Sequence, residues 1–253
     1  MKKAAVPALL LLLLLFLCAY TPNPDIHIRF GSPGGKGTLL ARKGYVMNYH
    51  LHKKHPIWVS YHLNKSKLQD IKKVKALYLK DPLIAGRAQP VESDFNVRNY
   101  YKGRMAPLFD MMETPEILKS AQYITNIALR HDGLRRKWTE LEDKIRGFAL
   151  KGKDVWVITG PAYDREKGVK KSPKGMEIPT HFFKIAVFQN REYQFVAAAF
   201  LFENRSSDKP LGEYLVSIGE VERITGLKFL SAFPEAVQKN LKMKADEGSV
   251  LFL

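Results

Sequence analysis

The chain has 253 residues, which is enough to bury one substantial hydrophobic core. Its composition, 45% hydrophobic and 26% charged, excludes a wholly disordered protein. Because the chain has 41 Lys and Arg residues and 25 Asp and Glu residues, its formal net charge is +16. A charge of this sign favours polyanionic partners such as nucleic acid, anionic lipid or acidic polysaccharide, although it is also compatible with a solvated basic surface that has no specific partner.

The N-terminus has the layout of a secretory signal. Lys2 and Lys3 precede the apolar segment 4–20, and small and polar residues follow it. A membrane span needs about 20 apolar residues, and the unbroken apolar run is shorter, so we expect export to a periplasmic or extracellular location. The alternatives are membrane attachment through this segment and lipidation of Cys18, the only cysteine. Cleavage after Ala19 would leave a mature chain with no disulfide.

The next part of the chain predicts a linker and then a β-hairpin. Residues 21–40 are rich in Pro and Gly, which is typical of a linker. Their stretch GSPGGKG lacks a Gly-Lys-Ser/Thr at phosphate-loop spacing, so it does not predict nucleotide binding. Two strand-like runs follow at 44–52 and 56–64, and the short polar stretch between them predicts a hairpin.

Three histidines of this hairpin are candidate ligands for a metal ion. His50 and His52 share one strand face, and His62 could oppose them. Strand histidines are more often half-exposed surface residues than zinc ligands, and we favour that interpretation.

The remaining pattern predicts an α+β protein. Residues 65–99 lack a clean period and are expected to form long basic loops. Apolar residues recur at steps of three and four in 135–150, which predicts an amphipathic helix. Short runs rich in Val, Ile and Phe predict buried strands of a central antiparallel sheet. These runs lie at 154–163, 182–188 and 195–202, and two short helices are predicted at 217–226, which opens with a Ser-x-x-Glu capping box, and at 234–244. This order predicts a single mixed domain.

Several quoted stretches, taken together, carry a family resemblance. They are HPIWVSYHLNK, DFNVRNYYKGRMAPL, YITNIA followed by WTELEDKIR, VWVITGPAYDRE, IPTHFFKIAV and VERITGL. In this order they resemble the DNA/RNA non-specific endonucleases, the sugar-non-specific branch of the ββα-metal nucleases. The resemblance implies a ββα-metal nuclease core in an endonuclease-like domain at 41–253, after a signal peptide or membrane anchor at 1–20. It also implies DNA or RNA as the partner and Mg²⁺ as the family's cofactor.

The resemblance also assigns roles to individual positions. In the family, the block Asp-Arg-Gly-His-x-Ala-Pro supplies a general-base histidine, and its place here is taken by Arg104, with Lys102 at the arginine position. The helix glutamate of the family corresponds to Glu142, which with Arg104 gives the two catalytic positions. The nucleic-acid-binding positions implied by the resemblance are Lys75, Lys102, Asn126 and Arg146. Glu142 and Arg146 lie four residues apart on one helix, so a surface ion pair between them is the alternative.

The resemblance assigns no metal ligand in this chain. The family's metal-binding asparagine, about four residues before Trp138, falls on Leu134 or Arg135, and neither side chain binds Mg²⁺.

An arginine at the base position changes the expected chemistry. The pKa of arginine is about 12.5 to 13.8, so roughly one guanidinium in a million or fewer is neutral at pH 7. Loss of a general base alone typically slows a reaction about 10² to 10⁴-fold, and loss of the metal ligand removes the main electrostatic stabilisation as well. The sequence therefore predicts a site that binds phosphate, with bidentate pairing to Arg104, and cleaves it weakly or not at all. The alternative is a decayed pocket in which Arg104 pairs with Glu142.

Two other functions remain open from the sequence. An active Mg²⁺-dependent nuclease could use His131 as a substitute base, with Asp132 or Glu142 holding the metal ion. An envelope-associated protein could instead meet anionic lipid or polysaccharide through its basic surface, held by the N-terminal apolar segment.

Overall fold

A computed structural model describes residues 26–68 and 74–243. The predicted signal and Cys18 lie outside these residues. Within them, none of the helices combines the length and apolar character that a membrane span requires.

A seven-stranded antiparallel sheet forms the centre of the protein, as the sequence predicts. Its strands run in the order β1-β2-β3-β6-β7-β8-β9. They are β1 (Thr38–Ala41), β2 (Val46–His50), β3 (His55–Leu63), β6 (Val155–Ala162), β7 (His181–Gln189), β8 (Phe195–Glu203) and β9 (Leu215–Val216). A separate antiparallel ribbon consists of β4 (Tyr100–Arg104) and β5 (Ile127–His131). The hairpin predicted around residues 44–64 is β2 and β3.

Helices cover both faces of the sheet, which confirms the α+β prediction. In the described part of the chain they are α1 (Pro115–Ala121), α2 (Arg135–Leu150), α3 (Ile218–Thr225) and α4 (Glu235–Met243). The apolar stripe of α2 packs on one face, and α3 and α4 pack on the other. Strand β7 is buried on both sides, because Phe182 belongs to the first core and Phe183 to the second. This explains why its sequence places apolar residues on both faces, apart from Lys184, instead of alternating apolar and polar residues.

The start of α3 follows from local sequence. The Ser217 hydroxyl accepts a hydrogen bond from the Glu220 amide, and Gly226 ends the helix in the left-handed conformation at φ 69°. The capping pattern of the sequence predicts both of these helix ends.

Residues 26–40 pack into the domain, in contrast to the linker expected at 21–40. The Phe30 ring lies 5.1 Å from the Trp156 ring in an edge-on contact, and the Trp156 indole donates to the Ile26 carbonyl at 2.8 Å. Apolar and aromatic side chains between the prolines and glycines provide this contact. The Pro and Gly content of the segment therefore reflects an irregular path along the core.

The three hairpin histidines do not form one cluster. His62 is buried and its Nε2 lies 2.7 Å from an Asp154 carboxylate oxygen, whereas the ring centroids of His50 and His52 are 6.4 Å apart. Across 26–68 and 74–243, no three His, Cys, Asp or Glu residues are arranged to hold a metal ion.

His27 makes the stability of the domain depend on pH. Its Nε2 lies 2.9 Å from the Lys43 carbonyl and its Nδ1 accepts from the His62 amide at 3.0 Å, so only a neutral ring satisfies both bonds. Burial lowers the pKa of His27 from 6.5 to about 4. The unfolded chain therefore binds more protons between these two values, and stability falls as the pH falls from 6.5 to 4.

We expect His27 to contribute about 3 kcal/mol to this acid destabilisation, since one pKa unit corresponds to about 1.4 kcal/mol. Urea unfolding measured at several pH values between 4 and 7.5 gives the slope. A His27→Gln variant should lose about one proton from that slope, and His52→Gln, at an exposed histidine, is the matched control. Identical slopes for all three proteins would contradict this role.

Candidate nucleic-acid interface

A cavity of about 810 Å³ opens where the β4–β5 ribbon meets α2. Its lining combines positive charge, aromatic rings and two carboxylates. The basic residues are Lys102, Arg104, Arg130 and Arg135, the aromatic residues are Tyr78, Phe95, Tyr100, Tyr101, Phe109 and Trp138, and the carboxylates are Asp132 and Glu142. The fold therefore brings together three residues that the sequence assigned to the site, namely Lys102, Arg104 and Glu142.

The ribbon register explains the glycine in the KGR stretch. In β4, Gly103 lies opposite Ala128 of β5, and Arg104 lies opposite Ile127. A Cβ atom on Gly103 would come within 2.9 Å of the guanidinium carbon of Arg130. A side chain at this position would therefore displace the Arg130 side chain, which crosses directly over the backbone of β4.

Arg104, at the end of β4, has no carboxylate partner among the described residues. Its Nη2 donates to the Leu77 carbonyl at 2.8 Å, and its guanidinium lies 4.9 Å from the centre of the Tyr78 ring. Its Nε is buried without a hydrogen-bond partner. Burial lowers the pKa of Arg104, because a low-dielectric environment disfavours the charged form. The alternative in which Arg104 pairs with Glu142 is not seen.

Arg130 is a buried guanidinium that sequence reasoning did not assign to the site. It is only 2% exposed, and it donates to the Tyr101 hydroxyl at 3.1 Å and to the Arg104 carbonyl at 3.2 Å. Its guanidinium lies 4.0 Å from the centre of the Trp138 ring, and its Nε has no partner. No carboxylate in the described part of the chain forms an ion pair with it. An arginine inside the otherwise apolar run IALR was the available signal.

Glu142 is held by a buried lysine on the central sheet. Its Oε1 accepts from the Trp138 indole at 2.6 Å and lies 3.4 Å from the Lys184 Nζ. Lys184 is fully buried, and burial lowers its pKa while the Glu142 carboxylate raises it. Because Glu142 is balanced by Lys184, it does not neutralise the arginines of the cavity.

Arg146 belongs to a buried network instead of the cavity lining. Its Nε and Nη2 each lie 2.9 Å from an Asp110 oxygen, and its Nη1 lies 2.6 Å from Asp143. Asp110 also accepts from the Tyr61 hydroxyl at 2.9 Å. The guanidinium is therefore buried and paired with two carboxylates, away from the cavity lining where the predicted contact with nucleic acid would be made. The surface ion pair with Glu142 is not formed either.

Asn126 occupies a structural position. It is fully buried, and its amide nitrogen donates to the carbonyls of Ala106 and Ala121, each at 2.9 Å. Its side-chain oxygen accepts from the Ala106 amide at 2.9 Å. These bonds connect the chain that leaves β4 to the end of α1, and they occupy both the oxygen and the nitrogen of the Asn126 amide.

The two predicted lysines differ in their distance from the cavity. Lys102 lines it, forms an ion pair with Glu92 at 2.9 Å, and places its Nζ 4.5 Å from the centre of the Tyr78 ring. Lys75 is exposed beside Ala76, which is itself a lining residue.

The residues of the cavity do not fit Mg²⁺. Leu134 is fully buried, and Arg135 lies 3.8 Å from the centre of the Tyr101 ring and forms an ion pair with Asp132 at 3.1 Å. Both carboxylates of the cavity, Asp132 and Glu142, are thus paired with basic side chains. Mg²⁺ requires oxygen ligands in octahedral geometry, and this lining offers mainly cationic donors.

His131, the alternative base, lies at the other end of the ribbon. It pairs with Tyr100, four residues along the strand from Arg104, which corresponds to about 13 Å. Its Nδ1 accepts from the Gly133 amide at 3.1 Å, and the residue is not part of the cavity lining.

Comparison with known proteins agrees with this architecture. The family model for DNA/RNA non-specific endonuclease matches residues 23–236. Nuclease C1 of Cunninghamella echinulata var. echinulata is 26% identical over 224 residues, covering 83% of this chain and 89% of the relative. The nuclease of Serratia marcescens is 28% identical over 221 residues, covering 83% of this chain and 82% of the relative.

A solved structure gives the same fold. A chain in the crystal structure of an EndoG/EndoGI complex superposes with a TM-score of 0.72 at 23% identity, covering 85% of this chain and 95% of that chain. Members of the matched family are metal-dependent nucleases that generally use Mg²⁺. Because the family model spans most of the sequence, this chain belongs to the DNA/RNA non-specific endonuclease family.

Proposed function

We propose that this protein binds DNA or RNA without sequence specificity in the cavity between the ribbon and α2, and that its phosphodiesterase activity is weak or lost. One observation carries the proposal. Two guanidinium groups, those of Arg104 and Arg130, share the cavity, have no carboxylate partner among the described residues, and each retain an unpaired Nε.

Binding follows from the cost of burying an uncompensated charge. A buried cation without a counter-ion is destabilising by several kcal/mol, and a phosphate supplies both the negative charge and acceptors with the geometry of a guanidinium. The net positive charge of the whole protein adds long-range attraction to a polyanion.

Weak cleavage follows from the side chain at the base position. The Arg104 guanidinium remains protonated near neutral pH even though burial lowers its pKa, so it cannot accept a proton from water. The positive lining also opposes a divalent cation next to the phosphate. Phosphate binding and phosphodiester hydrolysis are thus separated in this site.

Digestion and binding assays on the same preparation test the proposal. Plasmid DNA and RNA are incubated with the protein in Mg²⁺, in Mn²⁺ and in EDTA, alongside an Arg104→His variant. Binding is measured by fluorescence anisotropy over a series of salt concentrations. We expect no metal-dependent cleavage by the unmodified protein, and an affinity that falls linearly on a log-log plot as salt rises, because bound phosphates release counter-ions.

Metal-dependent cleavage by the unmodified protein would contradict the loss of activity. If that cleavage disappears in a His131→Ala variant, the substitute base is His131. The absence of binding to DNA and RNA at low salt would contradict the nucleic-acid interface, and vesicle binding in its place would favour an envelope-associated protein.

We also propose that the protein is exported, on the basis of the apolar segment 4–20. Mass spectrometry of the N-terminal peptide checks this, because a mature terminus after Ala19 is expected and a retained Met1 would exclude cleavage.

A further inference from the structure

The cavity contains more aromatic surface than phosphate binding requires. Phosphates are held by donors and cations, which the arginines already supply. Six aromatic residues also line the cavity, and their ring faces provide a second kind of chemistry. Proteins that hold single strands combine a basic groove with aromatic side chains on which successive bases stack.

The aromatic rings that line the cavity differ in how exposed they are. Phe109 is 40% exposed, and its ring centre is 5.7 Å from the Arg146 guanidinium. Tyr101 is half-buried, with the Arg135 guanidinium 3.8 Å from its ring centre. Trp138 and Phe95, by contrast, are buried and belong to the core. Tyr78 and Tyr100, like Tyr101, are only half-exposed, and guanidinium groups already lie over Tyr78 and Tyr101. Phe109 is therefore the ring that a ligand reaches most directly.

The depth of Arg130 adds a geometric requirement. Only 2% of this residue is exposed, and it lies against the Trp138 ring beneath the ribbon. A phosphate that reaches it brings the adjoining nucleotides to the cavity's aromatic wall. In a duplex the faces of the bases are hidden in the stack and cannot contact these rings. An unpaired strand can place its phosphate on the arginines and its base on a ring at the same time.

We infer that the cavity selects unpaired nucleotides, one of which stacks on Phe109 while a phosphate binds Arg104 and Arg130. This inference rests on the proposed function, because it names the class of nucleic acid that the same site takes. Single-stranded DNA and single-stranded RNA share the required chemistry.

Competition between strands tests this selection. The full chain is titrated with a fluorescent oligothymidylate, a fluorescent oligouridylate and a duplex hairpin of equal nucleotide count, at one salt concentration in EDTA. We expect both single strands to bind about tenfold or more tightly than the hairpin, since stacking one base contributes an effect of this size. The oligouridylate arm shows whether RNA and DNA strands are taken alike.

Variants at an exposed ring separate stacking from charge. Phe109→Ala should weaken single-strand binding about tenfold and change hairpin binding less than about twofold, whereas Phe109→Tyr should retain the affinity. The matched control is Tyr193→Ala, because Tyr193 is 82% exposed in the turn between β7 and β8, away from the cavity.

Two results would overturn the inference in distinguishable ways. Equal affinity for single strands and hairpin, with Phe109→Ala unchanged from the unmodified protein, would remove the strand selection and leave nucleic-acid binding intact. Failure of all three probes to bind would remove the proposed function together with the inference.

Discussion

Replacing Arg130 with methionine should weaken nucleic-acid binding by about 2–5 kcal/mol, or roughly 30-fold or more, because a buried charge that pairs with the ligand is lost. The same change should alter the free energy of unfolding by no more than about 1 kcal/mol. The variant loses the cation–π contact with Trp138, at 4.0 Å. It also no longer buries a guanidinium that has no carboxylate partner among the described residues, and this gain in stability offsets the loss. Anisotropy titrations and urea unfolding of the same samples measure the two effects.

The matched control for Arg130→Met is Arg191→Met. Arg191 is exposed in the turn between β7 and β8, so this variant carries the same net charge but leaves the cavity intact. We expect its affinity to remain within about twofold of the unmodified protein. Equal losses of affinity in the two variants would mean that overall charge, and not the cavity, binds the ligand. A large loss of stability in Arg130→Met would mean that the guanidinium is a structural element of the core.

The opposite outcome is expected for Arg146, a second buried arginine. Arg146→Met leaves the Asp110 carboxylate buried with the Tyr61 hydroxyl as its remaining partner. Breaking a buried ion pair by removing one side typically costs about 3–5 kcal/mol, a large part of the stability of an ordinary domain. Urea unfolding should therefore show a lower midpoint with an unchanged slope.

Two further variants define the origin of this loss. Arg136→Met removes an exposed arginine from the same helix and should cost less than about 1 kcal/mol, because surface ion pairs contribute little. Combining Arg146→Met with Asp110→Asn should recover part of the stability, since the unpaired buried charge is then removed. If Arg146→Met were no more harmful than Arg136→Met, the buried network would not support the fold.

The contrast between these arginines shows where a family resemblance reaches its limit. The resemblance placed Arg146 among the nucleic-acid-binding positions, but the structure pairs it with Asp110 and Asp143. Arg130 received no role from the sequence, yet it lies in the cavity with no counter-ion from residues 26–68 and 74–243. The buried partner that decides between the two situations, Asp110, lies 36 residues from Arg146, and the sequence does not show that the fold brings the two together.

The predicted elements succeeded where the signal is local. The apolar stripe of 135–150 predicted α2, and Ser217 and Gly226 predicted the ends of α3, because caps and periodicity depend on neighbouring residues. The β4–β5 ribbon was not predicted as strands. Its runs YYKGR and IALRH are each only five residues long, which is too short to show a clear alternation.

By itself the sequence determined the α+β class, the order of the main strands and helices, and the positive charge, and it predicted an arginine at the position of the family's base histidine. These properties are encoded by residue type and by spacing along the chain. Tertiary structure alone decided that Phe30 and Leu40 of the segment 26–40 join the core, that Asn126 is a structural residue and that Lys184 balances Glu142. It also decided that Arg104 and Arg130 share a cavity without carboxylate partners among the described residues. The physical reason is that burial and electrostatic pairing depend on which side chains the fold brings together, and those side chains are distant in sequence.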